Sequence, residues 1–396
     1  MSVSAPQGFR LAAVHAGIKR NPQKLDLTLV VSDRPATAAG VYTQNLVFAA
    51  PVKLDRARTP CEQIRAVVIN SGNANACTGE RGDRDAARMA ELAAAACGAR
   101  PEQALVLSTG VIGEFLPMEK ISAGITAASQ KLAADEAALI AAAQGMMTTD
   151  TRHKLVGRRL KLSQGEVQLT GMAKGAAMIG PRMATMLGLI ITDAAIAPSA
   201  AQQALSAAVE DSFNCISVDG HMSTNDTVLL VANGAAGLPL TGADLEVFRN
   251  ALADVCGELA RAIAADGEGA THLVVIEVRG CATRQAAHRI AKTIAESPLV
   301  KTAIAGADPN WGRIVSAAGY SGVPFDAARV SLEVNGFTLY RAGAPATFEA
   351  AAVSQSIREQ YETKIVIQFG DGEAAVRFWT TDLTAEYVRL NADYHT

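Results

Sequence analysis

Aromatic residues are scarce. Phenylalanine, tyrosine and tryptophan make up 5% of the 396 residues, and no stretch interleaves them with lysine and arginine. The chain therefore offers no stacking platform for bases. Charge is also thin, at 19% of residues with a net of −3. That excludes a broad electrostatic attraction to nucleic acid or to a membrane surface, and neither is expected as a partner. Cysteines 61, 77, 97, 215, 256 and 281 are scattered, without Cys-x-x-Cys spacing or a Cys/His cluster. Zinc binding is not indicated, and each thiol is expected as a small buried group in a reducing cytosol. No run reaches the roughly 18 uninterrupted apolar residues that a membrane span needs. The start, MSVSAPQGFRLAAVHAG, lacks the basic end and long apolar core of a signal peptide. The expected location is the cytoplasm. No metal or nucleotide motif is present, so no cofactor is expected.

Apolar residues, by contrast, form 49% of the chain. A length of 396 residues exceeds one ordinary core and suggests two or three domains. Residues 26–32 and 65–71 read as strands. Arg34-Pro35 ends the first, and the second runs into NSGNANACTG (70–79), which reads as a turn or loop. Residues 83–98 form an alanine-rich helix with Met89, Leu92, Ala93 and Ala96 at apolar positions. A short buried strand, 104–107, leads into Ser108-Thr109-Gly110. Helices follow near 118–129 and 133–145, then a strand at 166–171. The clearest helix is 243–265, where Leu245, Phe248, Leu252, Val255, Leu259 and Ile263 recur at helical spacing. It stops at Asp266-Gly267, where glycine can take the left-handed cap. After a strand at 272–278, helices (284–296, 348–361) mix with strands (330–334, 364–369, 375–379). A DPNWGR loop (308–313) lies between them, with Trp311 expected at a domain seam. The order predicts a layered α/β domain over 1–275 and a smaller α+β domain over 276–396.

The stretch KGAAMIGPRMATML (174–187) carries the most chemistry. Thr185 follows a small residue at the mouth of the apolar run Leu187 to Ile191, which reads as a strand buried on both faces. Two readings are open. Thr185 is a β-branched strand residue, or it is a self-processing nucleophile. In the second reading its hydroxyl attacks the preceding carbonyl, and an N-to-O shift and hydrolysis cut the chain between Ala184 and Thr185. The freed α-amine then serves as base for its own hydroxyl. Other positions are similarly two-sided. Thr109-Gly110 closes a strand, or it presents a hydroxyl and amides to a developing oxyanion. Lys174 is a surface lysine near a turn, or the partner of an anionic ligand. Glu268, between Gly267 and Gly269, is solvated surface or approaches a ligand.

Several blocks together resemble one family. NSGNANACTG (70–79), STGVIGE (108–114), MTTDT (147–151), the 174–187 stretch, STNDT (223–227), DGEGATH (266–272), DPNWGR (308–313) and NADYHT (391–396) stand in family order. They resemble the ornithine acetyltransferases, the glutamate N-acetyltransferases of the cyclic arginine pathway, over essentially the whole chain. The resemblance implies a layered N-terminal-nucleophile-like α/β fold. It implies self-cleavage at Ala184/Thr185 into fragments 1–184 and 185–396, two copies of each associating. It implies ping-pong transfer of acetyl from N2-acetyl-L-ornithine to L-glutamate through acetyl-Thr185. By the same resemblance Thr109 and Gly110 form the oxyanion hole, and Thr148, Lys174, Thr185, Glu268, Asn391 and Thr396 bind substrate. Acetyl-CoA as a second donor, with amino-acid N-acetyltransferase activity, stays open. So do an amidase or aminopeptidase of similar fold, with water as acceptor, and a binding protein without processing. His221 stands where relatives tend to carry aspartate, His272 where lysine is common, and His395 where arginine is frequent. The missing carboxylate at 221 leaves the hydrogen bonding of that loop unexplained, whereas the histidine itself reads as structural.

Overall fold

The computed structural model describes residues 3–180 and 186–393, so Ala184, Thr185, His395 and Thr396 lie outside the described residues. A large mixed sheet forms the centre. Its strands are β1 (Phe9–Val14), β2 (Leu27–Tyr42), β3 (Cys61–Asn73), β4 (Ala104–Val111), β5 (Lys154–Leu162), β6 (Gly165–Lys174), β7 (Leu187–Thr192) and β8 (Thr227–Ala232). In space they run β4-β3-β2-β8-β7-β6-β5, with β1 against β2. The pairs β3–β4 and β7–β8 are parallel.

Arg34-Pro35 does not end β2, contrary to expectation. The strand runs through them with a register shift against β3 between Val31 and Ala36. Proline has no N–H for the ladder, and a bulge is where a sheet tolerates that. The Ser32 hydroxyl donates to the Arg34 carbonyl across the irregular turn at 2.7 Å. The first half of β2 pairs with β1 and the second with β8. Likewise β3 continues through Asn73, so the start of the expected loop is strand.

Helices cover both faces of this sheet. On one face α4 (Glu136–Met146) sets Leu139, Ala143 and Met146 against Leu11, Ile69 and Leu189. On the other, α2 (Gly79–Ala95) and α3 (Met118–Ser129) cover the β2–β4 end through Met89, Ile121 and Ile125. There α5 (Pro198–Glu210) and α6 (Gly242–Ala264) cover the β5–β8 end through Leu205, Phe248 and Val255. β7 is buried throughout, with Leu187, Leu189 and Ile191 in one core and Ile190 in the other. That period-two sorting is what a strand between two helical layers requires. A further helix, α1 (Ala50–Arg58), guards the edge strand β4. Asp55 Oδ1 accepts from the Val106 amide at 2.9 Å, and Arg58 donates to the Ala104 carbonyl at 2.5 Å. Those groups would otherwise be an open template for pairing. The opposite edge strand, β5, carries Arg158, Arg159 and Lys161 instead.

The second sheet contains β9 (Leu273–Cys281), β10 (Ser331–Val334), β11 (Phe337–Arg341), β12 (Ala344–Pro345), β13 (Glu362–Gln368) and β14 (Ala374–Thr381). Its order is β12-β11-β10-β13-β9-β14, so the expected boundary at 275/276 falls inside β9. Helices α7 (Arg284–Ala295), α8 (Pro298–Ala305), α9 (Trp311–Gly319) and α10 (Ala350–Glu359) accompany it, and α11 (Ala385–Asp393) follows β14. Side chains of β9, β13 and β14 join the core under α5 and α6. Within the expected DPNWGR loop, Asn310 caps α9 by accepting from the Arg313 amide at 3.3 Å. Trp311 stacks on Tyr340 of β11 at 5.1 Å, within this C-terminal part and not at a seam. Among the described residues, no helix is long and apolar enough to cross a membrane.

Candidate functional site

One end of the large sheet opens into a cavity of about 310 Å³. Thr109, Gly110, Thr148, Lys174, Glu268 and Asn391 all line it. Strand ends supply Thr109, Gly110 and Lys174, loops supply Thr148 and Glu268, and α11 supplies Asn391.

Gly110 lies opposite Gly72 at an irregular point of the β3–β4 pairing. Its φ is +136°, and a Cβ there would sit 2.2 Å from the Gly72 carbonyl carbon. Only glycine fits. A buried amide network fixes this corner. Ser108 Oγ donates to Asn70 Oδ1 at 2.6 Å, and Asn70 Nδ2 to the Asn73 carbonyl at 2.8 Å. Asn225 Nδ2 spans to the carbonyls of Ala74 at 2.7 Å and Ser108 at 2.8 Å. The asparagines of the 70–79 and 223–227 blocks thus satisfy backbone groups that the bulge leaves unpaired.

Lys174 is buried, not the surface lysine its flanking residues suggest. Burial lowers its ammonium pKa, with Asp150 and Asp226 opposing. Nζ stands 3.4 Å from Thr148 Oγ1. Beneath both lies an ion network. Lys154 Nζ joins Asp150 at 2.6 Å and Asp266 at 2.7 Å. Asp150 also accepts from the amides of Thr148 at 3.0 Å and Gly175 at 2.7 Å. Burial pushes Asp150 up, but Lys154 and Lys174 outweigh it and hold the carboxyl below its usual range. Asp266 ties the end of α6 to the same network through the Thr151 amide at 3.1 Å.

Glu268 is docked by its amide on the Ala176 carbonyl at 2.9 Å, and Asn391 Nδ2 donates to its Oε2 at 3.1 Å. The helix α11 buries no side chain; its cavity-side hydrogen bonds come from Tyr387 and Asn391, and Thr384 just before it donates to the Gly269 carbonyl. Tyr387 OH donates to Asp219 Oδ2 at 3.2 Å. Asp219 also accepts from the amides of Met178 and Ile179 at 2.8 Å, and from His221 at 3.1 Å. Asp219, not residue 221, supplies the carboxylate that holds this loop. His221 lines the cavity and is exposed. His272 bridges Asp382 Oδ2 at 3.1 Å and the Ile357 carbonyl at 3.0 Å, away from the cavity. The hydrogen bond to Asp382 raises its pKa.

Asp150, Asp219, Asp226 and Tyr387 were not singled out from sequence. The first and third sit inside the MTTDT and STNDT blocks, but a carboxylate in a loop has no signature of burial. Tyr387 lies on a helix that the sequence pattern did not suggest. Cys77, expected buried, is exposed. Among the described residues no group of His, Cys, Asp and Glu is placed to hold a metal ion.

The cavity sets a buried cation against carboxylates, beside a strand end with a hydroxyl and a glycine. A layered α/β protein with such a site suits a small ligand bearing both charges and a carbonyl. The chain belongs to the ArgJ family, whose model matches residues 10–396. It is 47% identical over 395 residues to the arginine biosynthesis bifunctional protein ArgJ of Rhodopirellula baltica, covering 99% of this chain and 96% of the relative. It is 49% identical to the protein of that name from Symbiobacterium thermophilum, covering 100% and 98%. Among solved structures, ArgJ from Bacillus halodurans is 40% identical, with a TM-score of 0.49 over 51% of this chain and 96% of that one.

Proposed function

We propose that this chain acts as a self-processing glutamate N-acetyltransferase in arginine biosynthesis. Family membership supports the arginine-biosynthesis role. What supports the site most is that Thr109, Gly110, Thr148, Lys174, Glu268 and Asn391 line one cavity, at the end of the strand that leads toward residues 184 and 185.

In this reading the chain is cut between Ala184 and Thr185. The Thr185 α-amine, with an ordinary pKa near 8, takes the proton from its own hydroxyl. The oxygen attacks the acetyl carbonyl of N2-acetyl-L-ornithine, and Thr109 and Gly110 stabilise the oxyanion. The amide C–N bond then breaks, the proton passes to the departing amine, and ornithine leaves. Acetyl remains as an ester on Thr185 until the amine of L-glutamate attacks it. Lys174 meets the substrate α-carboxylate, with Thr148 beside it. Glu268, steadied by Asn391, meets the ornithine ammonium. When glutamate binds, water or a cation separates the two carboxylates. Thr396 completes the substrate contacts. Acetyl-CoA is a further donor to test. Residues up to the start of β9 form the catalytic part and the remainder a smaller part, and two copies of each fragment associate in the cytoplasm.

The test is stoichiometry. With N2-acetyl-L-ornithine and L-glutamate, equal amounts of ornithine and N-acetylglutamate are expected, and acetyl-CoA can replace the first donor in a separate arm. Free acetate released without dependence on glutamate would contradict the transferase and favour a hydrolase.

A further inference from the structure

The mechanism above leaves Asp226 without a task. It ends the segment before β8, and the residue is 1% exposed. Oδ1 accepts from the Met186 amide at 3.1 Å. Oδ2 is buried and has no hydrogen-bond partner among the described residues. The nitrogen that Asp226 holds is covalently bonded to the carbonyl carbon of Thr185. Asp226 and Lys174 also flank the entrance to β7 from either side, because Lys174 on β6 and Thr227 on β8 both register with Leu187.

A carboxylate buried with one donor and an empty second oxygen is poorly solvated and favours its neutral form. Burial pushes Asp226 well above the usual range and outweighs the Met186 amide, Lys174 and the nearby Thr43 and Ser223 hydroxyls, which all favour the charged form. The charged groups facing it are few. Lys174 acts on it directly, and around Lys174 stand Asp150, Lys154 and Glu268. Neutrality matters at this place. A negative carboxylate roughly 4–6 Å from an amine raises the amine's pKa by about 1–3 units. It would leave about ten- to thousandfold less of the amine free to act as a base. A neutral carboxyl holds the same peptide without that effect.

We infer that Asp226 is a positioning residue for acyl transfer, anchoring the peptide after Thr185 as an uncharged acid so that the neighbouring α-amine stays free to take the hydroxyl proton. This rests on the N-terminal-nucleophile reading above. Asp226 neither gains nor loses a proton in the cycle; the hydroxyl proton travels to the α-amine and then to the leaving amine.

The experiment compares wild type, Asp226→Asn and Asp226→Ala by intact mass, by kcat and KM for acetyl transfer, and by the acid limb of kcat/KM against pH. Asparagine keeps an acceptor and no charge. It is expected to be processed, to keep kcat within about tenfold, and to leave the acid limb within about 0.3 unit of wild type. Alanine loses the anchor, and kcat is expected to fall about a hundredfold with KM within about threefold. An acid limb that drops by about a unit or more in Asp226→Asn would mean the native group is charged and overturns the inference. So would wild-type kcat in Asp226→Ala. Should the alanine variant not fold, the asparagine limb still decides. If wild type itself is neither cut nor active in transfer, the functional reading fails and this inference falls with it. Failure confined to the variants counts against Asp226 alone.

Discussion

At the scale of single residues, the site depends on groups whose geometry admits no substitute. Gly110 is one. A methyl at that position meets the backbone of Gly72 and Asn73 at 2.2 and 2.4 Å, with φ at +136°. Gly110→Ala is therefore expected to push β3 and β4 apart locally and to lower acetyl transfer at least about a hundredfold, the size of an oxyanion donor's loss. A steady-state assay on folded variant checks this, and near-normal turnover would remove Gly110 from the site. Lys154 is another. It neutralises Asp150 and Asp266 at 2.6 and 2.7 Å in a buried network. Lys154→Met would remove the cation that two buried carboxylates share, leaving Asp266 with only Thr151 and exposed Arg152, and should cost about 3–5 kcal/mol of stability in denaturant melts. Thr109 and Gly110 were legible in the sequence because a strand run ends on them, in a block that matches a family pattern. Lys154, Asp150 and Asp219 were not. Lys154 and Asp150 matter through burial, and Lys154 and Asp219 through partners more than a hundred residues away, Asp266 and Tyr387; no local pattern encodes either.

At the scale of elements, the strong helical stripe of α6 and the near-continuous apolar run of β7 were readable, because their patterns are set by faces that must be buried. The weaker elements were not. β2 looked finished at Arg34-Pro35 because a proline normally ends a central strand, and only the bulge in the tertiary pairing carries it on. α11 escaped because it buries nothing. That same lack predicts how it behaves. Deleting residues 385–396 should leave the fold and the processing intact while KM for acetylornithine rises about tenfold or more. Intact mass and steady-state kinetics test this, and unchanged KM would contradict a role for Tyr387 and Asn391. His272 ties β9 to the end of β14, and both ring nitrogens face acceptors, which favours the imidazolium. Its pKa is raised in the folded protein, so its contribution is full below the ordinary value of about 6.5 and fades as pH rises through the folded value. His272→Gln should lower the melting temperature more at pH 6 than at pH 9. Equal losses at both would contradict the pairing.

At the scale of the whole molecule, the larger layered part was foreseen from alternating strands and helices, but not how the second sheet attaches. β9 starts that sheet and its side chains enter the core beneath α5 and α6, so a cut at 275 divides a strand and a core at once. Such sharing predicts one cooperative heat-capacity peak, whereas two separated peaks would mark independent parts. The site too belongs to the whole chain, since residues from 109 to 391 meet at one cavity. A sequence reveals such a meeting only through a family pattern, because spacing along the chain does not measure distance in the fold. Acetyl transfer in this protein turns on Thr185 becoming a new N-terminus. Intact mass of wild type and Thr185→Ala under denaturing conditions tests it most directly. Two wild-type fragments are expected, the second beginning at Thr185, and a single uncut chain for the variant. An uncut wild-type chain would contradict it.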